Sequence, residues 1–491
     1  MLSLNSGWEF VREWSADFFS GLVRGETVRL PHIISDVPLH YSDESVFNTV
    51  CGYKKEFYLP EADKGKRLFL RFDGAAHRAG VYINGKLAAE NDDGYSVFRV
   101  EATDFVRFDS TNTIAVRLDC TPFEPEPGKD LSFGGLYGGV WLDTRPMSCI
   151  RGLKLSTPGL KQLRAEIDAQ CEESLMRCRV SVLDGEKKIA SAEGGMSINL
   201  PVFSAVPWTP ENPRLYTCRA ELIDAFGTVM DSESVTFCFR TVKYEDGILY
   251  LNGKPTMIKP LVRQQYWPYA GPAVPELMQR EDARVLKEEL YCSAVIMRRA
   301  FSGSAFADEC LKRGIVIIEG PDRLCEGEAF DRPVRTGFGS EDRMLHTGSA
   351  DAFRNRKTAT APYRVSQDAV SAVRFASAQV SEGGSKTVIG SSGELRLELN
   401  TSRTKLTEGD SYDMVGVRIR ICTASRELAP LAQLPVTLKV TGPAELVGPS
   451  VVVLEGGMAG TYIKTTGNRG IIILTVSAPQ VEDVSLEFTV V

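Results

Sequence analysis

Between Thr256 and Glu319 the hydrophobic period of the chain changes, and that change limits what the rest can be. "TMIKPLV" (256–262) reads as a strand. After it, Met278, Val285, Leu286 and Leu290 fall near one face of a helix that Pro275 can start. "AVIM" (294–297) is a second strand. "SAFADECLKRG" (304–314) is a short helix that Ser304 can cap. Its acids Asp308 and Glu309 come early, Lys312 and Arg313 come late, and Gly314 can close it in a left-handed conformation. "GIVII" (314–318) follows as an unbroken apolar run, which suits a parallel strand covered on both faces. Strand, helix, strand, helix, strand is the βαβ pattern of a parallel sheet. Glu319 stands where the third strand ends, and Gly320-Pro321 break it.

On either side of this segment the period is that of strands. "RLFLRFDGA" (67–75) and "TIAVRLD" (113–119) alternate apolar and polar residues, and "VYINGKL" (81–87) turns at Asn84-Gly85, a strong hairpin signal. "YTCRAELID" (216–224) and "SVTFCFRTV" (234–242) mark a second β-rich stretch. Near the end, Leu395, Leu397 and Leu399 alternate with Arg396 and Glu398, and "VTLKV" and "GIIILTV" add strands. The chain therefore reads as a mainly β, multidomain protein with one partial α/β segment. Its 491 residues leave room for about three or four domains. A formal charge of −7 gives no reason to expect nucleic acid or an anionic membrane as partner. The 11 cysteines contain no Cys-x-x-Cys pair, which fits reduced thiols rather than a disulfide framework or a zinc site. "MLSLNSGWEFVREW" lacks the basic and apolar regions of a secretory signal, and no run approaches the ~18 apolar residues of a membrane span. A cytoplasmic location is the expectation.

Specific motifs carry a family resemblance. "YKKEFYLPEADKGKRLFLRFDGAAHRAGVYINGKLAAENDDGYSVFRVEATDFV" (53–106) resembles the sugar-binding-type jelly roll of glycoside hydrolase family 2, the β-galactosidase and β-glucuronidase family. "SFGGLYGGVWL" (132–142) resembles the closing strand of that domain. "WTPENPRLYTCRAELID" (208–224) and "FCFRTVKYEDGILYLNGKP" (237–255) resemble the immunoglobulin-like second domain and the approach to the barrel. "VRQQYWPYAGPAV" (262–274) is similar to the end of the first barrel strand, and "DAFRNRKTATAPYRVSQ" (351–367) to the segment leaving the barrel. Glu394 to Val491 resembles a late immunoglobulin-like domain. The resemblance implies a jelly roll at 1–150, an immunoglobulin-like sandwich at 151–243, a truncated (β/α) barrel remnant at 244–376 and a terminal immunoglobulin-like sandwich at 377–491.

The departures bear on activity. The family resembles other retaining glycosidases in using two glutamates about 5 Å apart. One stands in an Asn-Glu pair after the fourth barrel strand and the other after the seventh. This sequence contains no Asn-Glu dipeptide. Only 33 residues (319 through 351) separate the third strand from the exit-like segment, whereas each βα unit takes about 30. Both catalytic glutamates are expected to be missing. Ile296 and Arg299 stand where the family's second strand has Arg and His, and the immunoglobulin-like domain after the barrel is expected to shrink to a connection near 367–390.

Candidate site residues are correspondingly few. Glu319, at a strand's carboxyl end, is a weak catalytic candidate, with Glu326, Glu328 and Asp331 as potential partners that read better as solvated loop acids. Arg263, Tyr266 and Trp267 fall where the family's first strand faces the sugar, and a cation with aromatic rings can hold one by hydrogen bonds and stacking. His32, His40, His77 and His346 show no metal spacing, and no cofactor is implied. The readings that remain are a non-catalytic carbohydrate- or protein-binding scaffold, a glycosidase using other carboxylates, and a subunit whose partner completes the barrel. Three parallel strands cannot close a barrel. An apolar inner face left uncovered predicts a homo-oligomer or partner chain at the remnant.

Overall fold

The computed structural model describes residues 1–37, 44–121, 133–171, 176–245, 248–263, 267–297, 305–319, 395–432 and 434–491. Tyr266, Glu326, Glu328, Asp331, His40, His346 and the connection near 367–390 lie outside these residues. The protein is mainly β, with several packed sandwiches and one partial (β/α) unit.

The N-terminal sandwich sets a six-stranded sheet against a four-stranded one. The larger runs, side by side, Glu26–Val28, Trp8–Val11, Val50–Leu59, Ser110–Asp119, Arg78–Ile83 and Lys86–Asn91. Its inward residues, among them Phe10, Tyr53, Val81 and Val116, meet Leu70, Phe72 and Leu142 of the smaller sheet in one core. The Asn84-Gly85 hairpin forms as the residues predict, with φ of 49° and 81°. Both angles are the positive values that a type I′ turn requires. A short helix, α1 (Ala16–Ser20), lies beside this sheet, capped by the Ser15 side chain and closed by Gly21.

The second sandwich follows with sheets of three and four strands around Tyr216, Phe237 and Phe239. Arg145, at the end of the N-terminal sandwich, reaches Asp231 (3.5 Å) and Glu233 (2.8 Å) of the second and fixes one to the other. The C-terminal sandwich pairs sheets of four and five strands around Ile419, Ile463, Leu474 and Phe488.

Between them stands the α/β unit. Pro260–Arg263, Ala294–Met297 and Val316–Glu319 form a parallel sheet, with Pro260, Ala294 and Val316 in one row and Arg263, Met297 and Glu319 in another. Helices α2 (Glu276–Glu288) and α3 (Ala305–Arg313) cover one face, where Leu261, Val295, Met297 and Ile317 meet Ala283, Leu286, Phe306 and Cys310. Gly314 closes α3 at φ 73°, and a Cβ there would come within 2.3 Å of the Pro210 carbonyl oxygen, so only glycine fits.

The opposite face corrects one expectation. Ala294, Ile296, Val316 and Ile318 are all buried, packed with Trp208 from a loop of the second sandwich, Cys238 just after its last strand, and Leu249 and Leu251 from the antiparallel hairpin that precedes the first strand. Trp208 is locked there by its indole N–H, which donates to the Leu311 carbonyl at 2.9 Å. The chain covers its own apolar inner face, so that face is no reason for a second subunit.

Candidate functional site

The carboxyl end of the first parallel strand is where a barrel enzyme would do chemistry. Arg263 ends that strand. Strand parity puts it with Leu261 on the helix-covered side, and it is fully buried there. Its Nε donates to a carboxylate oxygen of Asp282 in the second turn of α2. Its guanidinium lies 3.6 Å from the Phe306 ring centre of α3 and 5.2 Å from that of Trp267. The arginine thus joins the first strand to both helices. Such a placement opposes the expectation that Arg263 faces a sugar, because the helix layer leaves it no open approach.

Trp267 is likewise enclosed, at 3% exposure. It packs with Ala270 and Val274 against Tyr412, Met414 and Tyr462 of the C-terminal sandwich. Tyr412 lies with its hydroxyl 2.8 Å from the Ala273 carbonyl of this loop and 3.0 Å from the Pro31 carbonyl of the N-terminal sandwich. Ser411 donates to the Leu30 carbonyl at 2.6 Å, and Arg29 pairs with Glu408. Three domains therefore meet around the first strand–helix loop. Nothing local marks Tyr412 for this task; the pairing spans 139 residues to Ala273. Asp282 and Phe306 were equally hidden in sequence, since each looks like an ordinary helix residue until the strand register is known.

Around this junction burial pushes the His32 imidazole down to about 4, with Lys464 adding to the effect, and His32 Nδ1 sits 2.8 Å from the Tyr53 hydroxyl. The Asp36 carboxyl is raised by burial, partly countered by Lys464. Farther along, burial lifts Asp308 of α3 to about 6. Glu319 is placed by its backbone alone, beside Met297 in the parallel register. Among the described residues no group of three or more His, Cys, Asp or Glu side chains could hold a metal, and no helix is long and apolar enough to cross a membrane.

This arrangement, with jelly roll, immunoglobulin-like sandwich and the opening of a (β/α) barrel in that order, is that of a multidomain glycosidase scaffold. Residues 37–130 match the glycosyl hydrolase 2 galactose-binding domain-like family and residues 160–240 match glycosyl hydrolases family 2. A β-galactosidase of Thermoanaerobacter pseudethanolicus is 29% identical over 344 residues, covering 65% of this chain and 46% of its own length. A β-glucuronidase of Bacteroides fragilis is 27% identical, covering 58% of this chain and 44% of its own. The chain thus spans less than half of these curated relatives. A solved family 2 member from Bacteroides cellulosilyticus superposes with a TM-score of 0.75 at 14% identity, over 100% of this chain and 99% of that one, which shows a shared fold. The chain is a member of glycoside hydrolase family 2.

Proposed function

We propose that this family member does not hydrolyse glycosides and serves as a binding scaffold for carbohydrate or protein. One observation carries the reading: the described barrel holds three parallel strands, and the next described strand, Arg396–Thr401, belongs to the C-terminal sandwich. The intervening residues 320–395 number 76, whereas five further strand–helix units at about 30 residues each need about 150. Retaining hydrolysis needs two carboxyl groups about 5 Å apart. The sequence has no Asn-Glu pair to supply the first, and its residual candidate is Glu319 at the end of the third strand.

The names of the relatives favour a second reading, a β-galactosidase- or β-glucuronidase-type activity through non-standard carboxylates. A partner chain that completes the barrel would serve the same chemistry. Retaining glycosidases pass through a covalent glycosyl-enzyme intermediate, so activated 2-deoxy-2-fluoro β-galactoside and β-glucuronide separate the readings. The scaffold reading expects an unchanged intact mass after prolonged incubation. A stoichiometric glycosyl adduct on a carboxylate would refute it.

A further inference from the structure

The outer face of the N-terminal six-stranded sheet carries an aromatic cluster that the fold alone does not demand. Trp14 follows the Trp8–Val11 strand and is tied by its backbone N–H to the Val50 carbonyl at 2.7 Å. With Phe18 of α1 it lies directly over Gly52, where a Cβ would meet both rings at 2.9 Å. The next outward row is Lys54–Ala115–Tyr82, with the small Ala115 at its centre. Trp14 stacks beside Tyr82 with ring centres 6.1 Å apart and planes at 26°, and Phe19 joins both at 5.5 and 5.1 Å. All three rings are half-buried.

The shelf has a polar border. Arg117 is exposed on the central strand, in the row Gly52–Arg117–Gly80. Neither neighbour in that row has a side chain to cover it. At Gly80 a Cβ would reach only ordinary contact with Tyr82 (3.5 Å) and Leu87 (3.9 Å), so the surface there is shallow, with Leu87 itself 47% exposed. The neighbouring cations Arg24 and Lys54 are engaged by Glu9 at 3.4 and 3.6 Å.

We propose that this shelf binds a pyranose ring of a polysaccharide, its apolar C–H face on Trp14 and Tyr82 and a hydroxyl accepting from Arg117. The proposal rests on the carbohydrate branch of the scaffold reading and gives it a location. Size selects the occupant. Each such side chain carries about 150–250 Å², so three half-buried rings offer on the order of 200 Å². That matches a sugar ring and falls well short of the roughly 800 Å² per partner of a stable protein interface. Strand addition cannot occur at the strands under Trp14, Tyr82 and Arg117, because Val50–Leu59, Ser110–Asp119 and Arg78–Ile83 are each paired on both sides; the sheet's edge lies beyond them at Lys86–Asn91.

The test is native affinity electrophoresis of the full chain through gels containing galactomannan, xyloglucan or mixed-linkage β-glucan. The wild type should be retarded by at least one of them. Trp14→Ala and Tyr82→Ala should each weaken that retardation at least tenfold and Arg117→Ala about threefold or more. Arg117 is exposed, so its variant keeps the test valid if the aromatic variants fail to fold. Retardation unaffected by Arg117→Ala and by a folded Trp14→Ala would overturn the shelf while sparing a scaffold that binds elsewhere. No retardation of the wild type by any of the three would overturn the carbohydrate occupant, whereas failure of the non-catalytic reading would appear separately as the glycosyl adduct described above.

Discussion

Replacing Arg263 with alanine separates a structural arginine from a sugar-binding one. In the structure Arg263 is fully buried and its Nε is bonded to Asp282, itself 9% exposed at the side chain. Removing the cation leaves a buried carboxylate without its partner, which costs about 3–5 kcal/mol. Loss of the contacts with Phe306 at 3.6 Å and Trp267 at 5.2 Å deepens the effect. The multidomain chain need not unfold in one step, so the loss is best read locally. Hydrogen exchange of peptides covering α2 and the Ala294–Met297 strand should accelerate by more than about a hundredfold, the equivalent of ~3 kcal/mol. The double variant Arg263→Met/Asp282→Leu, which removes both charges and keeps volume, should recover most of the protection. Exchange within threefold of wild type in Arg263→Ala would refute the structural role and return Arg263 to the list of ligand contacts.

Three further outcomes follow from the junction and the helices. Tyr412→Phe removes a hydroxyl shared by the Ala273 and Pro31 carbonyls, so it should cost about 1–2 kcal/mol and raise proteolysis between the C-terminal sandwich and the barrel unit. The His32 pKa in the folded chain, about 4, lies below its ordinary 6.5, so folding favours the neutral ring. Its contribution is complete above about pH 6.5 and is lost as pH falls toward 4, by at most about 3 kcal/mol, and urea titrations at pH 7, 5.5 and 4.5 should show that fall diminished in His32→Phe. Asp308 shows the reverse sign. Its carboxyl is raised from 3.8 to about 6, so the folded state is penalised as pH rises through 6. Asp308→Asn should then stabilise α3 by about 1–3 kcal/mol at pH 8 and by much less at pH 4.5, measured by the same titrations.

Local features were legible from residues alone. The Asn84-Gly85 turn, the apolar run ending at Ile318 and the left-handed Gly314 each announce themselves within a few positions, because the backbone angles they need are met by few other residues. The candidate site was harder. Arg263 looked ligand-facing because a cation beside aromatics suits a sugar. The strand begins at Pro260, however, and that parity turns Arg263 with Leu261 toward the helices. The burial of Trp267 is hidden for a different reason: what covers it, Tyr412, Met414 and Tyr462, lies far along the chain in another domain. The inner face is covered for the same reason: Trp208 reads as part of the immunoglobulin-like stretch and Leu249 and Leu251 as the approach to the barrel, and only the tertiary fold brings them under the sheet. Asn-Glu absence and segment length needed no structure at all.

The central claim is that this family 2 member lacks glycosidase chemistry, and initial-rate hydrolysis of chromogenic β-galactoside, β-glucuronide and β-mannoside by the pure protein tests it most directly. The account predicts no turnover above the uncatalysed blank for any of the three, with Glu319→Gln indistinguishable from wild type. Robust hydrolysis abolished by Glu319→Gln would contradict it and make Glu319 a working carboxylate.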